Sequence, residues 1–342
     1  MTRLIGGKIL PNMATRLSGI ENPTMEELKT ILAEDIPITA EEAQAVNGTG
    51  FDEKLINDSL AKLDTLVGLP KVKQAIHNFV DVARYRNSIG EKFVGDGVLK
   101  WSFAGNTGTG KSTVARIFAD ILKAMNLLAK GNFVEVKGEQ IFNVSEHTCD
   151  EVLKSAVDRS RYGMLFIDGD APEFKDPAGY NLTNEQLKIK LTHLTAEEGG
   201  AGAIVMAECC AKRQNLVASM ARNGIYEFDH TIVFDDYTPD ELLQILAACL
   251  ASHKMHIEPV AAEHLCRYIA DMAADRSNCA AGAGAALGST LANARTMKLI
   301  SRTIYEIVML RESRGNNTPR RTVLLQDVEK FVWKNERKRV GY

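Results

Sequence analysis

One stretch of the chain has the residue types, at the spacing, to hold a polyphosphate. Gly105-Asn106-Thr107-Gly108-Thr109-Gly110-Lys111-Ser112 follows the pattern G-x-x-x-x-G-K-[ST]. Glycines let such a backbone curl so that its N–H groups converge on phosphate oxygens. The lysine of the pattern reaches the β- and γ-phosphates, and the Ser hydroxyl sits on Mg²⁺. Thr113 follows directly and is counted with the same site. The chemistry read from these residues is binding of ATP or ADP with Mg²⁺. The competing reading is a glycine-rich turn that holds no ligand.

The loop needs a strand before it and a helix after it. Trp101–Ala104 is a short apolar run that reads as the strand, and Val114, Ile117, Phe118, Ile121 and Leu122 recur at helical spacing beyond it. The helix adds the positive end of its dipole to the site. Met164-Leu165-Phe166-Ile167-Asp168 reads as a further strand ending in a carboxylate. Asp168 there either holds Mg²⁺ beside Ser112 or only caps a turn. A glutamate at the next position would orient the attacking water. This chain has Gly169, with Asp170 and Glu173 nearby as weak substitutes. Arg295 is early in a helix, where a guanidinium either bridges to a γ-phosphate or is an ordinary surface charge.

Other candidates carry less. Ile141-Phe142-Asn143 is read as a loop whose Phe either grips a partner polypeptide or is a core aromatic. His147, His193 and His230 have no metal-like partners at useful spacing, and the six cysteines form no C-x₂-C pair. They are read as free thiols, mostly buried, in a reducing compartment.

Composition narrows the class. With 41 basic and 44 acidic residues the net charge is −3, which argues against a dedicated nucleic-acid binder. The 342 residues, 45% of them apolar, suffice for one large domain or two. No apolar run is long enough to span a bilayer and no signal segment opens the chain, so a cytoplasmic protein is expected.

The remaining elements are placed by pattern. Residues 1–60 are expected to form a helical extension, with capping signals at Thr24 and Thr39. Helices are expected around residues 55–66 and over 71–86, 151–160 and 184–195. Strands are expected at Phe133–Val136, Ala203–Ala207 and Thr231–Phe234. Strands alternating with helices imply a mostly parallel α/β sheet covered on both faces. Beyond Asp235 the strands stop. Helices follow over 239–250, 259–274, 290–311 and 326–333, the first capped by Thr238 with Glu241 three residues on. The domains expected are therefore 1–60, an α/β nucleotide-binding domain over 61–236, and an all-helical lid with a C-terminal tail over 237–342.

These residues together resemble the AAA+ ATPases of the CbbX, stage V sporulation protein K and EccA group. The resemblance covers roughly residues 60–312. It rests on Leu66-Val67-Gly68-Leu69, the glycine loop, Leu165–Asp168, Phe234-Asp235-Asp236-Tyr237-Thr238-Pro239 and Asn293-Ala294-Arg295. It implies a P-loop NTPase three-layer domain with a helical lid, assembled into a ring, usually a hexamer, that remodels protein partners. It also implies that Asp168 is the Walker B aspartate, that Arg295 is the sensor-2 arginine, and that residues 141–143 fall at a pore loop.

Departures from the family shape the functional expectation. Thr107 replaces a proline, Gly169 replaces the catalytic glutamate, and Glu208 brings a negative charge into the sensor-1 region. Only Arg222 is available in the segment where the family carries arginine fingers. The expectation is an ATP-binding protein with weak or absent hydrolysis, acting as a nucleotide-stabilised chaperone, adaptor or scaffold for a protein partner. It would form a homo-oligomeric ring or a mixed ring with an active paralogue, and the first sixty residues would recognise the partner. An active, ATP-driven remodelling ATPase is the alternative.

Overall fold

Short apolar runs form the sheet, four of the five ending in a polar residue or glycine. The computed structural model describes residues 50–91, 98–142, 144–169, 184–198, 202–208, 230–280, 292–314 and 319–329. Its strands are β1 Leu99–Gly105, β2 Phe133–Lys137, β3 Met164–Asp168, β4 Ala203–Glu208 and β5 His230–Phe234, in the order β2-β3-β4-β1-β5. β2 with β3, β3 with β4, and β4 with β1 all pair parallel. β4 is buried along its whole length, as a central parallel strand covered on both faces must be. The expected strands all form.

By contacts the chain divides into two units. One comprises Met1–Asp64, Val72–Ala104 and Ser112–Ile232; the other comprises Thr65–Lys71, Gly105–Lys111 and Val233–Tyr342.

In the first unit, helices α1 Glu53–Asp64, α2 Pro70–Ser88, α3 Lys111–Ala124, α4 Glu139–Phe142, α5 Glu146–Arg159 and α6 Asn184–Glu198 accompany the strands. Alternation along the strands sorts the core into two layers. On one face Trp101 packs edge-on against Phe79 of α2 and Phe118 of α3, with ring centroids 5.1 and 4.8 Å away. On the other, Leu165, Ile167, Ile204 and Met206 meet Leu153 and Val157 of α5 and Leu187 and Leu191 of α6. α5 begins five residues before the expected start, because Ser145 caps it by accepting from the Thr148 amide. Ile141 and Phe142, expected in a loop with Asn143, belong to the one-turn helix α4, with Ile141 fully buried. The Phe142 side chain and Asn143 lie outside the described residues, as do residues 1–49, whose expected helices are not described.

In the second unit, helices α7 Pro239–Ser252, α8 Pro259–Ala280, α9 Asn293–Ser313 and α10 Leu325–Val328 enclose Leu242, Leu246, Leu265, Met297, Ile300 and Ile304. The capping box at Thr238 and Glu241 forms in full. Against the expectation that strands stop after Asp235, two short ones occur: β6 His256–Ile257 and β7 Thr322–Val323 pair parallel. Two residues each are too few to show a strand period. A buried ion pair fastens this corner, with Arg311 donating to Asp327 at 2.7 Å and to the Thr322 carbonyl at 2.8 Å.

Candidate nucleotide site

The glycine loop is held by its carbonyls. Gly108 and Gly110 sit at φ +80° and +94°, which side chains rarely adopt. The carbonyl of Thr107 accepts from Asn293 Nδ2 at 3.3 Å, and that of Gly108 accepts from the Ala294 amide at 3.1 Å. Tyr237 donates its hydroxyl to the Thr109 carbonyl at 3.2 Å. Lys111, only 5% exposed, donates from Nζ to the carbonyls of Gly105 and Asn106 at 2.8 and 2.9 Å. Thr109, fully buried, ties its hydroxyl to the Asn106 carbonyl at 2.8 Å. A loop whose carbonyls are engaged in this way is built so that its N–H groups can serve an anion.

Asp236 and Asn293 form the hub of this arrangement. The Asp236 carboxylate accepts from Asn106 Nδ2 at 2.8 and 3.0 Å and from Asn293 Nδ2 at 2.8 Å. Asn293 Oδ1 accepts from the Tyr237 amide at 3.3 Å. Asn293 is buried at φ +47°, a left-handed conformation that Asn tolerates better than most residues. The start of α9, which carries Arg295, is thereby anchored on the glycine loop. The Arg295 side chain itself is exposed.

In the other unit, half-buried Ser112 and exposed Thr113 lie in the first turn of α3, and half-buried Asp168 ends β3. By strand alternation Asp168 shares its sheet face with Phe166 and Phe103, the face that α3 covers. A hydroxyl and a carboxylate are hard oxygen donors of the kind Mg²⁺ takes. Gly169 donates its N–H to the Ala207 carbonyl at 3.0 Å, and a Cβ added there would stand 2.4 Å from that oxygen. The glutamate expected of the family therefore has no room without movement of β3 or β4. Glu208 is the last residue of β4, only 2% exposed. Its charge, expected to be unfavourable, is met by Lys188 of α6, whose Nζ lies 2.5 Å from Oε1.

Asp170, Glu173, Arg222, Cys209 and Cys210 lie outside the described residues. Among the described residues no group of His, Cys, Asp and Glu could hold a metal ion by itself, and no helix is long and apolar enough to cross a membrane. Lys188 and the bonding of Asn293 to Asp236 had no sequence signal beyond an Asn at a helix start. Tyr237 is another residue missed: burial first, then the neighbouring Glu241, push its phenol up to about 12.

No protein-family model matches the chain. Among curated proteins it is similar to the ESX-1 secretion system protein EccA1 of Mycolicibacterium smegmatis, 27% identical over 70% of this chain and 42% of that protein. The chain thus spans less than half the length of EccA1. It is also similar to the chloroplastic ribulose bisphosphate carboxylase/oxygenase activase of Cyanidioschyzon merolae, 31% identical over 66% of this chain and 78% of that one. Among solved structures, Thermotoga maritima RuvB aligns with a TM-score of 0.46 and 18% identity, covering 78% of this chain and 70% of that one. With the P-loop, the parallel sheet and the helical unit after it in place, the chain belongs to the AAA+ ATPase family of EccA1 and this Rubisco activase.

Proposed function

We propose that the chain binds ATP or ADP with Mg²⁺ and acts as a nucleotide-stabilised chaperone, adaptor or scaffold for a protein partner, with weak or absent hydrolysis. The observation that carries nucleotide binding is the engagement of the Gly105, Asn106, Thr107 and Gly108 carbonyls, two of them by Lys111. Residues 105–113 cradle the phosphates, Ser112 and Asp168 take the metal, and Arg295 contacts the nucleotide from the lid. Mg²⁺, when bound, neutralises charge on the phosphates. Lys111 exchanges its two carbonyl partners for phosphate oxygens. Weak or absent hydrolysis is supported by Gly169, where a side chain would meet the Ala207 carbonyl unless a strand moved. Residues 61–236 serve as the nucleotide-binding domain and 237–342 as the lid. The first sixty residues recognise the partner, and the working form is a ring of this chain or a mixed ring with an active paralogue.

The alternative is an active remodelling ATPase, favoured by the presence of Lys111, Ser112 and Asp168 together. Titration of the purified chain with ATP and ADP, with and without Mg²⁺, tests the proposal. Micromolar binding that Lys111→Ala abolishes supports it. Absence of binding by the wild type rejects it, and turnover at the rate of an efficient motor selects the alternative.

A further inference from the structure

We propose that the groove between the end of α7 and the middle of α9 docks a short acidic segment of the protein partner, with carboxylates on Lys298 and Arg302 and apolar side chains against Leu299 and Leu310. This rests on the reading that the chain serves a protein partner, and is independent of how fast the chain hydrolyses ATP.

The groove lies wholly within the second unit and has a volume of about 520 Å³. Ser252 and His253, at the end of α7, line one side, and Lys298, Arg302, Tyr305 and Glu306 of α9 line the other. Positions 298, 302, 305 and 306 share one face of a helix. The His253 ring packs on Tyr305 with centroids 4.9 Å apart, which ties the two helices together at that end. From Lys298 to Glu306 the helix rises about 12 Å, the length of about four residues of extended chain. Ser252, His253, Lys298, Arg302 and Glu306 are all exposed, so the groove is shallow. Sites for small molecules bury most of the ligand, which a shallow groove does not do. A strip of polypeptide suits the length and the depth better.

Charge selects the kind of polypeptide. The Lys298 side chain is exposed, and among the described residues its ammonium has no partner. Arg302 reaches Glu306 only at 3.7 Å, with the two side chains 81% and 68% exposed. Such a pair is worth little, so the guanidinium is free to turn to another carboxylate. The C-terminal end of a helix is negative and repels anions. At the end of α7 those carbonyls are already occupied. The Ser252 hydroxyl donates to the Cys249 carbonyl at 2.6 Å, the His253 and Met255 amides donate to that of Leu250, and the Lys254 amide donates to that of Ala251. Lys298 stands at one end of the groove and Glu306 at the other, so a docked segment is oriented with its acids toward Lys298. Leu299 and Leu310, 46% and 53% exposed, are about three turns apart on one side of α9 and edge the groove. Free cationic groups beside exposed leucines match a segment that mixes carboxylates with apolar side chains. An ordinary solvated helix face is the competing account.

The test is fluorescence anisotropy of a fluorescein-labelled octapeptide of glutamate, leucine and serine, titrated with the full-length chain at low ionic strength. Wild type should bind it saturably and should not bind the same peptide with lysine in place of glutamate. Lys298→Glu should weaken binding about tenfold and Lys298→Gln about threefold. Lys298→Gln also stands in should Lys298→Glu not fold. Glu306→Gln, which removes a like charge, should strengthen binding about twofold. Arg267→Glu, the same change of charge on α8 outside the groove, should bind as wild type does. Equal losses in Arg267→Glu and Lys298→Glu would mean general attraction between charges and overturn the inference. Displacement of the peptide by free glutamate at the peptide's own concentration would make the groove a site for a small anion and overturn it as well. No saturable peptide binding by a wild type that still binds ATP or ADP overturns the inference alone. A wild type that binds neither peptide nor nucleotide overturns it together with the proposed function.

Discussion

Asn293 donates from Nδ2 to Asp236 at 2.8 Å, and the same amide group reaches the Thr107 carbonyl at 3.3 Å. One side chain at the start of α9 therefore reads both the exit of β5 and the third residue of the glycine loop. Asn293→Gly is the clean probe, because glycine accepts φ +47° without strain while the amide is lost. Each hydrogen bond removed is worth about 0.5–1.5 kcal/mol. If the hub shapes the loop, ADP affinity should fall by about tenfold, or about 1.4 kcal/mol. Asp236→Ala and the double variant complete a cycle. A coupling of about 0.5 kcal/mol or more is expected for groups in direct contact, and additive losses would mean that the hub does not act as a unit.

Gly108 makes a sharper prediction. A Cβ at this position would lie 1.9 Å from the Ala292 carbonyl, on a backbone at φ +80°. Gly108→Ala must push the loop away from the start of α9, at a cost on the order of 1–3 kcal/mol. The bond from the Ala294 amide to the Gly108 carbonyl is the first to go. Faster hydrogen exchange at Ala294, together with loss of measurable nucleotide binding, is the expected pair of results. Exchange at Ala294 unchanged from wild type would show that the loop absorbs the methyl group without leaving α9.

The closed position after Asp168 separates stability from chemistry. Gly169→Ala brings a methyl group against the Ala207 carbonyl and should cost about 1–3 kcal/mol, lowering the melting temperature by several degrees. Gly169→Glu should be destabilised at least as much and should gain no turnover, although it restores the residue type of the family. Asp168→Asn, isosteric at a half-buried strand end, should melt close to wild type and lose the Mg²⁺ dependence of nucleotide binding. A Gly169→Glu variant that melts like wild type and hydrolyses ATP faster would show that the strands part readily.

How far the sequence could be read follows from the kind of signal each feature leaves. The strand at Met164–Asp168 was legible as a short unbroken apolar run, and the helix from Lys111 because burial of one face writes a local period. Thr238 and Glu241 were legible because a capping box is a three-residue rule. β6 and β7 were not, since their pairing joins residues 256 and 322 over two residues each. Lys188 was missed for the same reason: it meets Glu208 from a different element, and a lysine on a helix carries no mark of its partner. Gly169 was legible as a missing carboxylate, but that the position excludes any side chain depends on the carbonyl of the neighbouring strand.

Tyr237 provides a pH-dependent check on the glycine loop. Its hydroxyl donates to the Thr109 carbonyl, and burial, with Glu241 adding to it, raises the phenol from 10.0 to about 12. Between those values the unfolded chain gives up this proton while the folded chain keeps it. The folded state then binds more protons, so stability must fall as pH rises through that window, and the contribution is complete below pH 10. Tyr237→Phe removes this component. It should unfold in urea with a shallower loss of stability between pH 9 and 11 than wild type, after a loss at neutral pH of about 0.5–1.5 kcal/mol for the missing hydrogen bond. Ultraviolet titration of the folded protein should show one fewer late-titrating tyrosine in the variant. Parallel stability curves for the two proteins across the alkaline range would mean that the phenol is not held by the loop.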